Sequence, residues 1–232
     1  MHMKKPVYLL AGGRKGPGTT DLLLKAVFRE SGKPHPTIAY IGAANNDNLA
    51  FYGLMAGMLR SNGAGRINRI LLASAKADPA QARKILETAD IVFMAGGDVE
   101  KGMQIINDKR IGDLLSDLYE SGKVFFGSSA GSIILARKWI CWRDPADDTT
   151  AELFPCLGLA PVICDTHGEE EWEELQALLK LEDDGATGYG IVSGTAIRVW
   201  PDSTVEAMGD PVHRYQKQSG LVARIADILP VT

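Results

Sequence analysis

A serine between two glycines is the first feature of the sequence that could do chemistry. Residues 127–131 read Gly-Ser-Ser-Ala-Gly and match the pattern G-x-S-x-G, in which only Ser129 is central. The apolar run 124–126 precedes them, and residues 132–136 have the pattern of a helix. A nucleophile elbow requires this strand–turn–helix context, because the glycines allow a sharp turn and the helix N-terminus supplies N–H groups. The alternative is a plain Gly/Ser-rich turn that caps a helix, and the context favours the elbow.

A serine hydroxyl needs a base, because it is a weak nucleophile at its own pKa. The chain has four histidines. His2 is terminal, His35 lies between two prolines, and His213 falls in a late strand region. His167 follows residues 162–166, which have the pattern of a strand, and open α/β sheets place their sites at the carboxyl ends of strands. By elimination, His167 is the candidate base.

A glycine-rich turn offers main-chain donors. Residues 96–98 read Gly-Gly-Asp and follow the apolar run 91–95. N–H groups in such a turn can face a developing oxyanion. A simple turn that opens the next helix explains the same residues equally well, so both interpretations stay open.

A second glycine-rich segment, residues 12–18, looks like a phosphate loop but does not fit one. Thr19 stands where Walker A requires lysine, and the glycine offsets do not match G-x-G-x-x-G. One interpretation places Arg14 and Lys15 against an anionic group of a substrate, and the favoured interpretation places them in a solvated loop. The sequence therefore gives no support for nucleotide binding, and we expect neither a cofactor nor a metal.

The elements that would position these residues alternate along the first two thirds of the chain. Nearly continuous apolar runs, typical of strands covered on both faces, occupy residues 7–10, 37–41, 67–72, 91–94 and 124–126. Amphipathic stretches between them predict helices over residues 20–31, 48–61, 79–88 and 111–120. This alternation predicts an α/β fold, a mostly parallel sheet with helices on both faces.

The last third changes character. A helix is predicted near residues 169–180, and short strands follow at residues 197–200, 204–207 and 221–225, separated by glycine turns. No linker, low-complexity tract or internal repeat interrupts the chain. We therefore predict that residues 1–232 form a single domain.

Composition narrows the class of partners. Hydrophobic residues make up 45% of the chain and charged residues 23%, as in ordinary globular proteins. A net charge of −4 without a basic stripe argues against nucleic acid, and no stretch is long enough for a membrane span. The three cysteines have no CxxC spacing, so neither a disulfide framework nor a zinc site is indicated. Without an export signal, we expect a cytoplasmic protein.

Residues 126–131, which contain the Ser129 motif, resemble the G-x-S-A-G-A elbow of the dipeptidase E and cyanophycinase family of serine peptidases. Three further segments are similar to that family in the same order: residues 92–98, residues 158–167 and residues 190–196. The resemblance implies a fold like that of class I glutamine amidotransferases, with serine in place of their cysteine. It also implies cleavage of peptide or isopeptide bonds involving aspartate, without metal or cofactor.

The resemblance assigns a role to each candidate residue. Ser129 would attack an amide carbonyl, and His167 would take its proton and return it to the leaving amine. The N–H groups of Gly97 and Ala130 would hold the oxyanion. Asp144 lies fifteen residues after Ser129, as in the dipeptidase, and would orient His167. Three other aspartates are rivals for this role: Asp147, Asp148 and Asp165.

Three features depart from the family pattern, and the smallest is Ser132 in place of the last alanine of the G-x-S-A-G-A elbow. Ser193 precedes Gly194, where the family's late strand usually carries an acidic residue. A glutamate run, residues 169–171 and 173–174, replaces the arginines that often follow the family's histidine. An aspartyl substrate would lose its expected cation, so the sequence weakens the expectation of aspartyl specificity.

The sequence thus predicts a serine peptidase that cleaves peptide or isopeptide bonds of small peptides. Its expected partner is a small peptide substrate, and a homodimer is an open alternative to a monomer. One competing hypothesis is an inactive relative that serves as a binding module. Another is an esterase of the α/β-hydrolase fold, but its histidine usually lies near the chain end, whereas only 38 positions separate Ser129 from His167.

Overall fold

The computed structural model describes residues 3–13, 19–168 and 171–230, so Arg14, Lys15, Glu169 and Glu170 lie outside the described residues. The strands are β1 (Val7–Leu10), β2 (Ile38–Ile41), β3 (Ile67–Ile70), β4 (Ile91–Met94), β5 (Val124–Ser128), β6 (Lys138–Trp142), β7 (Ala151–Pro155), β8 (Ile163–Thr166), β9 (Thr187–Ile191), β10 (Ala196–Val199), β11 (Val205–Met208), β12 (Val212–Gln218) and β13 (Leu221–Ile228). The helices are α1 (Thr19–Glu30), α2 (Leu49–Ser61), α3 (Pro79–Thr88), α4 (Val99–Asp108), α5 (Gly112–Glu120), α6 (Ala130–Leu135) and α7 (Glu173–Leu181). Within these residues, no helix is both long enough and apolar enough to cross a membrane.

The largest sheet has seven strands in the order β11-β10-β1-β5-β4-β2-β3. Five neighbouring strands of this sheet are parallel, namely β1, β5, β4, β2 and β3. Strands β10 and β11 are added next to β1 in antiparallel orientation. The predicted α/β fold with a mostly parallel sheet is confirmed. Because the five strands are parallel, their carboxyl ends meet at one edge of the sheet, where the loops after β1, β2, β4 and β5 come together.

Both faces of this sheet are buried, which explains why its strands are almost wholly apolar. Along β1, Val7 and Leu9 contribute to one hydrophobic cluster, while Tyr8 and Leu10 contribute to the other. Helices α1 and α2 cover the second of these faces, and helices α3 to α6 cover the first. Because side chains alternate along a strand with a period of two, each strand contributes side chains to two separate cores.

Two smaller sheets complete the structure. Strands β6 and β7 form a hairpin, and a four-stranded sheet has the order β13-β12-β9-β8, in which β8 and β9 are parallel. Leu175, Leu178 and Leu179 of α7 are fully buried and belong to the larger of the two cores. The chain after β9 is tied to the chain after β1, because Ala11 N–H donates to the Thr195 carbonyl at 3.0 Å. This tie brings the carboxyl ends of β8 and β9 to the edge where β1 ends.

Candidate active site

Ser129 lies in the sharp turn between β5 and α6. Its φ of 54° and ψ of −129° place it in a region that residues other than glycine rarely occupy. Gly127 and Gly131 make the turn feasible: a Cβ on Gly131 would lie 2.0 Å from the Met94 carbonyl oxygen, and one on Gly127 would lie 2.5 Å from the main chain of Gly131. The Ser129 N–H donates to the Leu10 carbonyl at 2.9 Å. The glycines of the motif therefore permit the close packing that holds a strained serine in place.

Ser129 faces a cavity of about 860 Å³ at the carboxyl edge of the parallel strands. Gly12, Asn45 and Gly97, which follow β1, β2 and β4, line this cavity. His167, which follows β8 of the four-stranded sheet, lines it as well. The cavity is thus assembled from the ends of strands in two sheets, which is where α/β folds commonly place a ligand.

His167 is held by the turns after β1 and β9. Its Nδ1 is hydrogen-bonded to the Ser193 hydroxyl at 2.9 Å. Its Nε2 lies 3.6 Å from the position that a Cβ on Gly12 would occupy, so this glycine leaves room for the imidazole. The Gly194 N–H donates to the Gly12 carbonyl at 2.7 Å and fixes the two turns to each other. His167 itself has a φ of 62°, a second strained residue at the site.

The surroundings of His167 favour the neutral imidazole. Burial lowers the pKa of His167, and a hydrogen bond with the main chain at Ala11 acts in the opposite direction. Ser193 is uncharged, so it adds no coulombic stabilisation of an imidazolium. The lowered pKa favours the neutral imidazole, which is the state that a general base requires.

The turn after β4 is fixed in place beside the elbow. Gly97 has a φ of 149°, and a Cβ there would lie 2.1 Å from the Ala44 carbonyl oxygen. The Asn45 side chain donates to the Gly96 carbonyl at 2.8 Å, and the Asp98 N–H donates to the Ala44 carbonyl at 2.8 Å. Asp98 also caps α4. Both sequence-based interpretations of this turn are thus compatible with the structure.

The main chain at this point offers two donors. The N–H groups of Gly97 and Ala130 have no hydrogen-bond partner among the described residues. Ala130 is the first residue of α6, whose orphan N–H groups and dipole favour negative charge. A Cβ on Gly96 would lie 3.1 Å from Cβ of Ser129, so the two turns are in contact. These two N–H groups are therefore the candidates to donate to an oxygen of a substrate bound next to Ser129.

Ser129 and His167 line the same cavity, but no hydrogen bond joins them in the structure. Such contacts are often long in unliganded enzymes and tighten only when substrate binds. The described residues contain no group of three or more His, Cys, Asp or Glu side chains placed to hold a metal ion.

The sequence model of peptidase family S51 matches residues 7–206 of the chain. The chain belongs to this family. It is a serine-type peptidase of the dipeptidase E and cyanophycinase group, as the sequence motifs predicted. No curated protein gives a significant match to the sequence.

Solved structures show the same fold as this S51 peptidase. A peptidase from an acI-B1 Actinobacterium superposes with a TM-score of 0.73 at 16% identity, over 98% of each chain. A protein from Listeria monocytogenes EGD-e, provisionally described as peptidase E, superposes with a TM-score of 0.60 at 17% identity. That match covers 97% of this chain and 100% of the other. At such identities the likeness concerns the fold alone.

Asp144 is not brought to His167 in this S51 peptidase. It lies exposed in the loop between β6 and β7, where its carboxylate accepts a hydrogen bond from the Ala146 N–H at 3.0 Å. Among the rivals, Asp147 caps its own turn through Thr149. None of the candidate aspartates forms a hydrogen bond with His167.

Asp165, the rival nearest to His167 in sequence, is buried in β8. Its carboxylate accepts a hydrogen bond from the Thr166 N–H at 2.5 Å. Burial raises the pKa of Asp165 to about 7, and this hydrogen bond opposes the rise. Asp165 is therefore a buried, poorly solvated carboxyl on β8, an edge strand of the four-stranded sheet, without the hydrogen bond to imidazole that a triad acid makes.

Two residues of the site were not assigned a role from sequence. Ser193 was noticed only as a departure from the family pattern, yet it is the hydrogen-bond partner of His167. Asn45 holds the Gly96 carbonyl and so fixes the turn that carries Gly97. The position of Asn45 just after a buried strand was the available signal, although many residues at strand ends only form turns.

Proposed function

We propose that this S51 peptidase hydrolyses amide bonds of small peptides with Ser129 as nucleophile and His167 as general base. The main support is the strained Ser129 at the elbow, which shares a cavity with a neutral histidine. Strain of this kind persists only where the surrounding structure over-determines it, and it is concentrated at functional sites. Family membership supports the same chemistry.

In the proposed reaction, Oγ of Ser129 bonds to the amide carbon while Nε2 of His167 accepts the hydroxyl proton. The N–H groups of Gly97 and Ala130 donate to the oxyanion of the tetrahedral intermediate. The C–N bond then breaks, and His167 returns the proton to the leaving amine. Water hydrolyses the acyl-enzyme by the same steps in reverse order, with His167 again taking and giving a proton.

We assign the positioning of His167 to Ser193 in place of Asp144. The support is the 2.9 Å hydrogen bond between Ser193 and Nδ1, together with the exposed position of Asp144, whose carboxylate is bonded within its own loop. A hydroxyl that accepts a hydrogen bond from Nδ1–H keeps the proton on Nδ1 and leaves Nε2 free to act as base. The triad in this proposal is Ser129–His167–Ser193.

Labelling with a fluorophosphonate tests the nucleophile without knowledge of the substrate. We expect the parent enzyme to be labelled at Ser129 and Ser129→Ala to lose labelling and at least about 10⁴-fold of any peptide hydrolysis. Ser128→Ala is the matched comparison, because it removes the neighbouring hydroxyl of the same motif. Labelling that survives Ser129→Ala but is lost in Ser128→Ala would show that the nucleophile is Ser128 and that the assignment to Ser129 is wrong.

One observation favours a second candidate function, an inactive relative that binds peptides. Ser129 and His167 are not hydrogen-bonded, and the partner of His167 carries no charge. In that case the parent protein and Ser129→Ala would bind peptides with the same affinity, and neither would react with the fluorophosphonate.

A further inference from the structure

One wall of the active-site cavity is strongly apolar. The cavity extends from Ser129 between α1 and α2 on one face of the seven-stranded sheet. Large apolar side chains form this wall, among them Leu24, Phe51, Leu54, Met55, Met58 and Phe126. With a volume of about 860 Å³, the cavity lies within the range of roughly 300–1,000 Å³ that is typical of small-ligand sites. It has room for a whole dipeptide.

The described part of this wall carries no charged side chain. Its titratable group is His167, whose lowered pKa favours the neutral imidazole, and its polar side chains include Thr20, Asn45 and Asn48. Asn45 already donates to the Gly96 carbonyl, and Asn48 caps α2 by accepting from the Phe51 N–H. Among the described residues, a carboxylate or ammonium group buried against this wall would lose its hydration without gaining a partner of opposite charge.

We propose that this cavity selects peptides with an uncharged, apolar side chain next to the scissile bond, of the size of leucine, methionine or phenylalanine. The inference rests on the proposed function, since it names the substrate class of the same site. Removing such a side chain from water favours binding roughly 10–100-fold over a small or charged one. The apolar side chains of α2 on this wall set the preference.

Binding to Ser129→Ala tests the inference without turnover. The probes are dipeptides in both orders: Leu-Ala and Ala-Leu, Phe-Ala and Ala-Phe, Asp-Ala and Ala-Asp, and Lys-Ala and Ala-Lys. Calorimetric titration should give at least roughly tenfold tighter binding for the best apolar peptide than for any charged one. Equal or tighter binding of an aspartyl or lysyl peptide, or no binding of any peptide, would overturn the inference.

Two leucines of α2 provide a matched pair of variants. Leu54 lines the cavity and is 68% exposed, whereas Leu49 does not line it and is 67% exposed. Leu54→Arg should weaken binding of the apolar peptides roughly tenfold and strengthen binding of the aspartyl peptides, because it adds a cation to the cavity wall. Leu49→Arg should leave both affinities unchanged. Equal changes of peptide affinity in the two variants would contradict the inference, because the effect of the arginine would then not depend on its position in the cavity wall.

The two proposals fail in different ways. Fluorophosphonate labelling of the parent enzyme reports on Ser129 as nucleophile, and the binding preference of Ser129→Ala reports on the apolar wall. Labelling together with a preference for charged peptides would reject only the substrate class. A preference for apolar peptides without labelling would reject only the catalytic role.

Discussion

Substituting Ser193 by aspartate places a carboxylate against Nδ1 of His167, where the protein has a neutral hydroxyl 2.9 Å away. Aspartate is the suitable choice because it extends the side chain by a single atom from the same Cβ. The substitution tests whether Ser193 positions the base and whether the absence of charge at this point holds the pKa of His167 low. It changes no group that would touch the substrate in the proposed mechanism.

The expected change in the pKa of His167 follows from the distance between the two charges. Two unit charges 4 Å apart attract by about 4 kcal/mol at an effective dielectric constant of 20. Ser193 and His167 both reach solvent, so screening reduces this to roughly 1–2 kcal/mol. Since 1.4 kcal/mol corresponds to about one pKa unit, we expect the pKa of His167 to rise by about one unit.

The pH dependence of fluorophosphonate labelling measures this shift. A base must be neutral to accept a proton, so labelling by the parent enzyme falls as the pH decreases through the pKa of His167, which lies below 6.5. In Ser193→Asp the fall should begin about one pH unit higher. Above about pH 8 the variant should react roughly 3–10 times faster, because the carboxylate stabilises the imidazolium that forms in the transition state.

Two variants separate positioning from charge. Ser193→Ala removes the hydrogen bond without adding charge, so it should lower kcat about 3–10-fold with little change in KM. Ser203→Asp adds the same charge in the exposed turn between β10 and β11, at the opposite edge of the sheet, and should leave the pH profile unchanged. An unshifted profile in Ser193→Asp, or an equal shift in Ser203→Asp, would refute the role given to Ser193.

Two further predictions concern stability, measured by urea unfolding. Gly131→Ala should lower the free energy of unfolding by about 3 kcal/mol or more, because its Cβ would lie 2.0 Å from the Met94 carbonyl oxygen. Gly57→Ala, in open space on α2, should raise it by about 0.5–1 kcal/mol. Equal effects of the two substitutions would contradict the packing argument. Burial raises the pKa of Asp165 to about 7, so ionisation of this carboxyl makes the folded protein progressively less stable as the pH rises from about 4 through 7. Asp165→Asn should therefore be more stable than the parent at pH 8 and nearly equal to it at pH 4, and a gain independent of pH would speak against this cause.

Much of the main sheet could be predicted from sequence, because buried parallel strands are encoded locally as apolar runs. The predicted bounds of β1, β4 and α3 agree with the structure, and those of α1, α2 and β2 differ by one residue at one or both ends. Helix α4 was not predicted, although its buried Val99, Met103 and Ile106 follow the spacing of a helical face. The β6–β7 hairpin was also missed, because its strands lack the alternation typical of half-buried strands and pair across a long loop.

The site was predicted less completely than the sheet, for a physical reason. Ser129 and the turn that carries Gly97 follow strands of one parallel sheet, so local pattern and topology together bring them to one edge. His167 and Ser193 belong to the other sheet, and their positions depend on the hydrogen bonds that tie residues 194–195 to residues 11–12. Docking between sheets leaves no local signal in the sequence. The family resemblance therefore points to Asp144, with Asp147, Asp148 and Asp165 as rivals, and not to Ser193, the hydrogen-bond partner of His167 in the structure.

The neutral partner of His167 and the apolar wall of the cavity are consistent with each other. A site with a neutral serine, a neutral imidazole and main-chain donors carries no formal charge before the reaction, and an apolar side chain in the cavity excludes water from it. Donors then act on the developing oxyanion in a medium of low dielectric constant, where each is stronger than in water. The imidazolium, in contrast, forms without a carboxylate and is destabilised by the same exclusion of water. The rate of such an enzyme should therefore be limited by charge on His167, which is why a carboxylate at position 193 is expected to accelerate it.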